Sequence, residues 1–228
     1  MGKRRKEEEL VEEVVGTVEQ HTDKSTAWFE KNKGLIMGLI GLLVLLTAAF
    51  IIFKFFIKEP KEKAAKAAIY QAEQRFAQDS FALALDGPGL EAEGFLDIID
   101  NYGGTKTANL AKLYAGISYL NLGRFDDAIS YLDSHSAAGA YSPIMKFGNL
   151  GDAYSEKGDF GKAISMYQKA TTASEDALLT PYYLYKLGLL ARRQGDNSTA
   201  LNAFSRIKNK YPNSNEGETI DMMIRSVS

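Results

Sequence analysis

A glycine and an alanine recur at fixed separations in the second half of the chain, and this register limits the fold more than any other feature. Gly116, Gly151 and Gly188 lie 35 and 37 residues apart. Each is followed by a second glycine, at Gly123, Gly158 and Gly195, and then by Ala128, Ala163 and Ala200. Tyr119 and Tyr154 precede the second glycine in a Tyr-x-x-x-Gly spacing, and Ala191 takes that place in the third block. Leu132, Tyr167 and Phe204 close the three sets. A period in this range marks a helix–turn–helix unit that buries its apolar face by stacking on neighbouring copies.

The spacing predicts how each unit packs. The small pairs Gly116 with Ala128, Gly151 with Ala163 and Gly188 with Ala200 are expected to let two antiparallel helices approach. Tyr119, Tyr154 and Phe204 are expected to fill the space between adjacent hairpins. Gly123, Gly158 and Gly195 supply the turns, where a positive φ costs glycine little. Ser142-Pro143 and Thr180-Pro181 read as an N-cap followed by proline at the first helical position. Tyr211-Pro212 ends the last block, and His135 reads as an interhelix or turn residue.

These residues resemble the tetratricopeptide repeats. The motif's small first-helix residue matches Gly116, Gly151 and Gly188, its tyrosine matches Tyr119 and Tyr154, and its second-helix alanine matches Ala128, Ala163 and Ala200. A later alanine is kept at Ala170 but replaced by His135 and Ile207, and the closing proline survives only at Pro212. The motif's tryptophan is absent, with Lys112, Phe147 and Leu184 in its place. The resemblance implies an all-α fold, a right-handed superhelix of hairpins over residues 108–214, and a role as an interaction scaffold. It also implies a concave groove lined by the first helix of each hairpin. The groove positions carry over to Leu113, Ile117 and Asn121, then to Asp152, Ser155 and Glu156, and then to Tyr182, Tyr185, Arg192 and Arg193. Arg192 and Arg193 are the candidates for holding a carboxylate.

Phe95, Ile98 and Tyr102 repeat the spacing of Phe204, Ile207 and Tyr211. Residues 61–107 are therefore read as a linker helix and a divergent first hairpin, with one long helix over 61–85 and a turn at Asp86-Gly87-Pro88-Gly89. Residues 215–228 are read as a capping helix, with Met222, Met223 and Val227 covering the open end of the stack.

Residues 34–53 run for twenty positions without a charge. A helix of that length spans roughly 30 Å, the thickness of a bilayer's hydrocarbon core. Phe55, Phe56 and Ile57 continue the run past Lys54, so residues 34–57 are read as an uncleaved transmembrane helix in contact with lipid. Residues 1–33 become a cytoplasmic tail with one apolar stripe at Val11, Val14, Val15 and Val18. The whole tail holds more Lys and Arg than residues 54–68, which favours the N-terminus inside, whereas the count next to the membrane favours the reverse.

Composition removes other classes. The chain has 228 residues, no cysteine and two histidines, His21 and His135, and its formal net charge is -2. Disulfide scaffolds, thiol chemistry and cysteine-ligated metals are excluded. The charge balance gives no footprint for nucleic acid. The carboxylate pairs Asp126-Asp127 and Glu175-Asp176 sit where helices begin and favour the helix dipole. No enzyme activity, cofactor or metal is expected.

The whole layout is similar to bacterial inner-membrane proteins that accompany the Sec translocon. That likeness implies a periplasmic repeat domain with protein or peptide partners, among them translocon subunits and periplasmic chaperones. The alternatives are a scaffold for cell-envelope assembly or division, and a structural protein that self-associates as a homo-oligomer.

Overall fold

The computed structural model describes residues 28–89 and 92–227. The Val11–Val18 stripe and His21 lie outside them. The chain divides into two units, Met1–Glu59 and Pro60–Ser228.

In the first unit, helix α1 covers residues 28–52 and runs into a π-helical turn at Phe53–Lys58. The helix is already formed at Trp28, the first described residue, ahead of the expected boundary at residue 34. Its most apolar 18-residue window has a mean hydropathy of 2.9 and none of that window is buried. One described helix is thus long and apolar enough to cross a membrane.

In the second unit every described element is helical: α2 (Glu59–Ala77), α3 (Phe81–Asp86), α4 (Phe95–Asn101), α5 (Lys106–Asn121), α6 (Phe125–Ser134), α7 (Ser142–Glu156), α8 (Phe160–Ala173), α9 (Leu179–Arg193), α10 (Asn197–Lys210) and α11 (Ile220–Arg225), the last preceded by a 3-10 turn. Helices α5–α6, α7–α8 and α9–α10 pair as hairpins, and each second helix also packs on the next first helix.

The same turn closes all three hairpins. Gly123, Gly158 and Gly195 have φ of 73°, 77° and 80°. The following N–H groups of Arg124, Asp159 and Asp196 donate to the carbonyls of Tyr119, Tyr154 and Ala191, each at 2.9 Å. This six-to-one closure satisfies a carbonyl that the helix end would otherwise leave open. Asp159 and Asp196 then cap α8 and α10, their carboxylates accepting from Lys162 N at 3.2 Å and Thr199 N at 3.0 Å.

The first-helix glycines have a different partner from the expected alanines. A Cβ on Gly116 would meet Leu132 Cγ at 2.6 Å, one on Gly151 would meet the Tyr167 ring at 2.5 Å, and one on Gly188 would meet the Phe204 ring at 2.3 Å. Each glycine is the seat for the large residue of its own second helix. Phe204 therefore fills its own hairpin rather than the space between hairpins, and Ala128, Ala163 and Ala200 are each fully buried in their own repeat.

Two helix starts are corrected. Helix α7 is capped at Tyr141 with Ser142 as its first residue, and the Ser142 hydroxyl lies 2.6 Å from His135 Nε2 instead of capping the helix. At α9 the cap comes from upstream: Asp176 Oδ1 accepts from Leu178 N at 3.0 Å and Leu179 N at 2.7 Å, and Thr180 Oγ1 accepts from Asp176 N at 2.9 Å.

The expected helix over 61–85 breaks. Helix α2 ends at Ala77, Asp79 adopts φ 55°, and Ser80 N donates to Arg75 O at 2.9 Å. This is the repeat turn again, with aspartate standing where the other blocks have glycine. Buried Ala72 and Ala84 hold the places of Gly116 and Ala128. The matching second helix is interrupted: α3 stops at Asp86 and α4 begins at Phe95. The Gly94 backbone returns so close to α3 that a Cβ there would meet Leu85 O at 2.1 Å. At the start of α2, Glu62 accepts from Lys106 N at 2.7 Å and Thr107 Oγ1 at 2.8 Å, placing an anion at the N-terminus of α5.

At the C-terminal end Ile220 and Val227 are buried in the core that holds Phe204, and Met223 packs against it. Met222, expected in this cap, is 56% exposed. His135 joins three helices. It is the C-cap of α6, its Nδ1 lies 2.7 Å from Asn109 O on α5, and its Nε2 meets Ser142 of α7. Burial holds its pKa below the ordinary 6.5; the hydrogen bond to Asn109 opposes this, and the nearby Lys146 and Lys112 ammoniums add to it.

Two predictions follow from the packing. Gly188→Ala forces Cβ into the Phe204 ring and is expected to lower stability by about 1–3 kcal/mol. Gly161→Ala on α8 has nothing within 4 Å of its Cβ and is expected to be neutral or stabilising by up to about 1 kcal/mol; urea denaturation measures both. His135 binds its proton more readily in the unfolded chain, so stability is full above pH about 6.5 and falls as the pH drops through the depressed folded value. Denaturation midpoints between pH 8 and 5.5 should fall for the natural chain, and His135→Gln should flatten that slope.

Candidate functional site

A cleft of about 660 Å³ in the second unit opens where α5, α7 and α9 end. Its wall comes from Leu120 and Asn121 on α5, Asp152, Ser155 and Glu156 on α7, and Lys186, Leu189, Leu190 and Arg193 on α9. Gly123 and Phe125 bound it at the first turn, and Tyr167 of α8 forms part of the floor. The volume lies inside the range of about 300–1,000 Å³ typical of ligand clefts.

A closed polar network holds this floor. Tyr167 packs closely on Gly151, and its hydroxyl donates to Asp152 Oδ1 at 2.6 Å. Lys186 Nζ from the next repeat donates to the same oxygen at 2.8 Å. Lys186 also sits 4.7 Å from the Tyr182 ring centroid and 6.0 Å from that of Tyr183. Burial, followed by the Asp152 charge, pushes the Tyr167 phenol far above its ordinary value. Burial and then Asp152 raise Tyr183 in the same way. At Lys186 burial pulls the pKa down, but the Asp152 carboxylate and the Tyr182 hydroxyl outweigh it and the net shift is upward. Lys186 therefore stays charged and paired, and it ties the second repeat to the third.

The rim is more open. Arg193 is exposed and its guanidinium lies 5.1 Å from the Phe160 ring centroid. Glu156 ends α7 and is exposed. Asn121 spends its amide N–H on Ile117 O, at 2.9 Å, within its own helix.

The structure sorts the ten expected groove positions. Asn121, Asp152, Ser155, Glu156 and Arg193 come together in the cleft. Leu113 and Ile117 do not; both are buried in a core shared with Leu132 and Leu150. At these positions α5 packs against α6 and α7, through Leu132 and Leu150. Tyr185 is half-buried against Phe204, 6.2 Å between centroids. Tyr182 is exposed and stands edge-on to Tyr183, outside the cleft lining. Arg192 is spent on the C-terminal cap, donating to Ser226 Oγ at 2.9 Å and lying 3.7 Å from Met223 Sδ.

Lys186, Leu189, Leu190 and Tyr167 were missed by the groove reading. A signal for the first three was present: Lys186, Leu189, Leu190 and Arg193 fall at i, i+3, i+4 and i+7, one helix face. Tyr167 carried no such signal, because its role depends on where its ring lies against Gly151.

Models described as tetratricopeptide repeat match residues 110–134 and 182–214, and a further model of that description matches residues 147–176. These matches coincide with the three hairpins; they support tetratricopeptide repeats there and indicate a scaffold for protein–protein interaction. No curated protein matches the chain.

Asp152→Ala leaves a half-buried ammonium and a buried phenol without their acceptor. It is expected to lower stability by about 1–3 kcal/mol. Lys186→Met in the Asp152→Ala background should recover part of that loss. Urea denaturation of the two single variants and the double variant measures the coupling.

Proposed function

We propose that this chain is a membrane-anchored scaffold that holds protein or peptide partners in the cleft between α5, α7 and α9. The observation that carries this reading is the pairing of two features in one chain: an apolar helix with no buried residue in its most hydrophobic window, and a repeat array with a cleft of ligand size. An exposed apolar helix of this kind is unfavourable in water and favourable in lipid. The array supplies a rigid concave wall with apolar, acidic and basic side chains in reach of one another.

The finer reading places the N-terminus in the cytoplasm of a bacterium, the helix in the inner membrane and the repeats in the periplasm. There the protein assists protein translocation or periplasmic chaperones. This placement rests on the N-terminal Lys and Arg and on the likeness of layout.

Extraction and protease protection test the reading together. The protein is expected to remain in the pellet of cell membranes washed with alkaline carbonate and to dissolve only in detergent. Residues 61–228 are expected to resist protease added to inside-out vesicles and to be digested in spheroplasts. Release by carbonate removes the anchor; digestion in inside-out vesicles moves the scaffold to the cytoplasm. Crosslinking in intact cells then separates partners: recovery of translocon subunits or chaperones favours translocation, and recovery of the protein alone favours self-association.

A further inference from the structure

The hydrogen-bonding capacity of the cleft divides into spent and open groups, and the division describes the ligand. Asp152 Oδ1 takes both the Tyr167 hydroxyl and the Lys186 ammonium, at 2.6 and 2.8 Å. Asn121 has committed one of its two amide N–H donors to its own helix. The charges that line the cleft outside this network are Glu156 and Arg193, one of each sign. Among the described residues, Arg193 has an aromatic ring beneath it at Phe160 but no carboxylate within ion-pair distance, and Glu156 has no cation within that distance. The half-buried Leu189 and the largely buried Leu190 line the same cleft.

We propose that the cleft selects a short dipolar peptide segment. It presents a cation to Glu156, a carboxylate to Arg193 and an apolar side chain to Leu189 and Leu190. This rests on the scaffold reading above and adds the chemistry of its partner. Arg193 can grip a carboxylate with two parallel N–H donors, and the ring of Phe160 holds the guanidinium plane in place. Glu156 accepts from Lys, Arg or a free amino terminus. The lining carries two acids and two bases, so a segment with a single sign of charge meets repulsion at one pole wherever it lies. The carboxylate has two sources, an Asp or Glu side chain or a chain terminus, and the same holds for the cation.

The experiment is calorimetric titration of the full chain in detergent with six-residue synthetic peptides. Four have blocked termini around a central Leu: Lys before Glu, Glu before Lys, two Lys, and two Glu. A fifth has no charged side chain but free termini. One of the two dipolar peptides is expected to bind about tenfold or more tightly than either like-charged peptide. Arg193→Glu should turn the preference to the two-Lys peptide, and Glu156→Arg should turn it to the two-Glu peptide. Both residues are exposed, and circular dichroism checks that each variant keeps its helix content. Tight binding of the fifth peptide assigns the charges to chain termini; its failure assigns them to side chains. Peptides that bind equally whatever their charge, in the natural chain and both variants, overturn the dipolar selection and leave peptide binding intact. Absence of binding for all five peptides overturns both.

Discussion

The architecture of the repeat region depends on one repeated contact, a large second-helix side chain resting on a first-helix glycine. The missing Cβ at Gly116, Gly151 and Gly188 brings Leu132, Tyr167 and Phe204 onto the helix backbone. Close packing makes this contact sensitive to a single methyl group. In the second repeat it also builds the cleft. The Tyr167 ring packs closely on Gly151, its hydroxyl donates to Asp152, and Asp152 in turn holds Lys186 of the following repeat. Leu132 and Phe204 make the same seat but carry no hydroxyl, so the first and third repeats have no equivalent polar floor. A packing rule common to all three hairpins thus produces a polar network at one of them.

The turn shows which part of a motif residue matters. Tyr119 and Tyr154 give way to Ala191 in the third block, yet the hydrogen bond from the turn is 2.9 Å in all three. The group that the turn needs is the backbone carbonyl, and every residue type supplies it. The side chain is free to change with its neighbours. The hairpin at residues 61–102 extends the point: Asp79 takes the positive φ that glycine takes elsewhere, at a cost a short polar residue can bear. The register survives in Ala72 and Ala84 even though the second helix is broken between Asp86 and Phe95.

What could be read from the sequence follows the same division between local and distant causes. The turn glycines, the buried alanines and the apolar run needed only spacing and chemistry close in sequence. The break at Asp79 was hidden because the signal sought was glycine. Ser142 and Thr180 are attractive caps by composition, but His135 engages Ser142, and Asp176 takes the cap of α9. Half of the expected groove residues line the cleft; Leu113, Ile117, Tyr185 and Arg192 are claimed by contacts with residues farther along the chain, and Tyr182 stands exposed beside Tyr183. Leu113 and Ile117 are covered by neighbouring helices, and Arg192 is held by Ser226. Adjacent arginines on one helix, equal by composition, point to different tasks because they stand about 100° apart around the axis.

Anchoring and recognition reinforce one another on the reading proposed for this protein. A cleft of about 660 Å³ contacts only a short stretch of a partner. Association must overcome lost translational and rotational freedom before any contact adds affinity. A small site with two exposed charged poles is therefore suited to weak, quickly reversed binding. Confinement to one membrane changes the arithmetic, because a partner held in the same plane is present at a far higher effective concentration than a free one. Weak contacts then suffice for capture without becoming slow to release. The rigid part of the site supports this economy: Asp152, Lys186 and Tyr167 are already ordered and paired, so a ligand has to order only Glu156, Arg193 and itself.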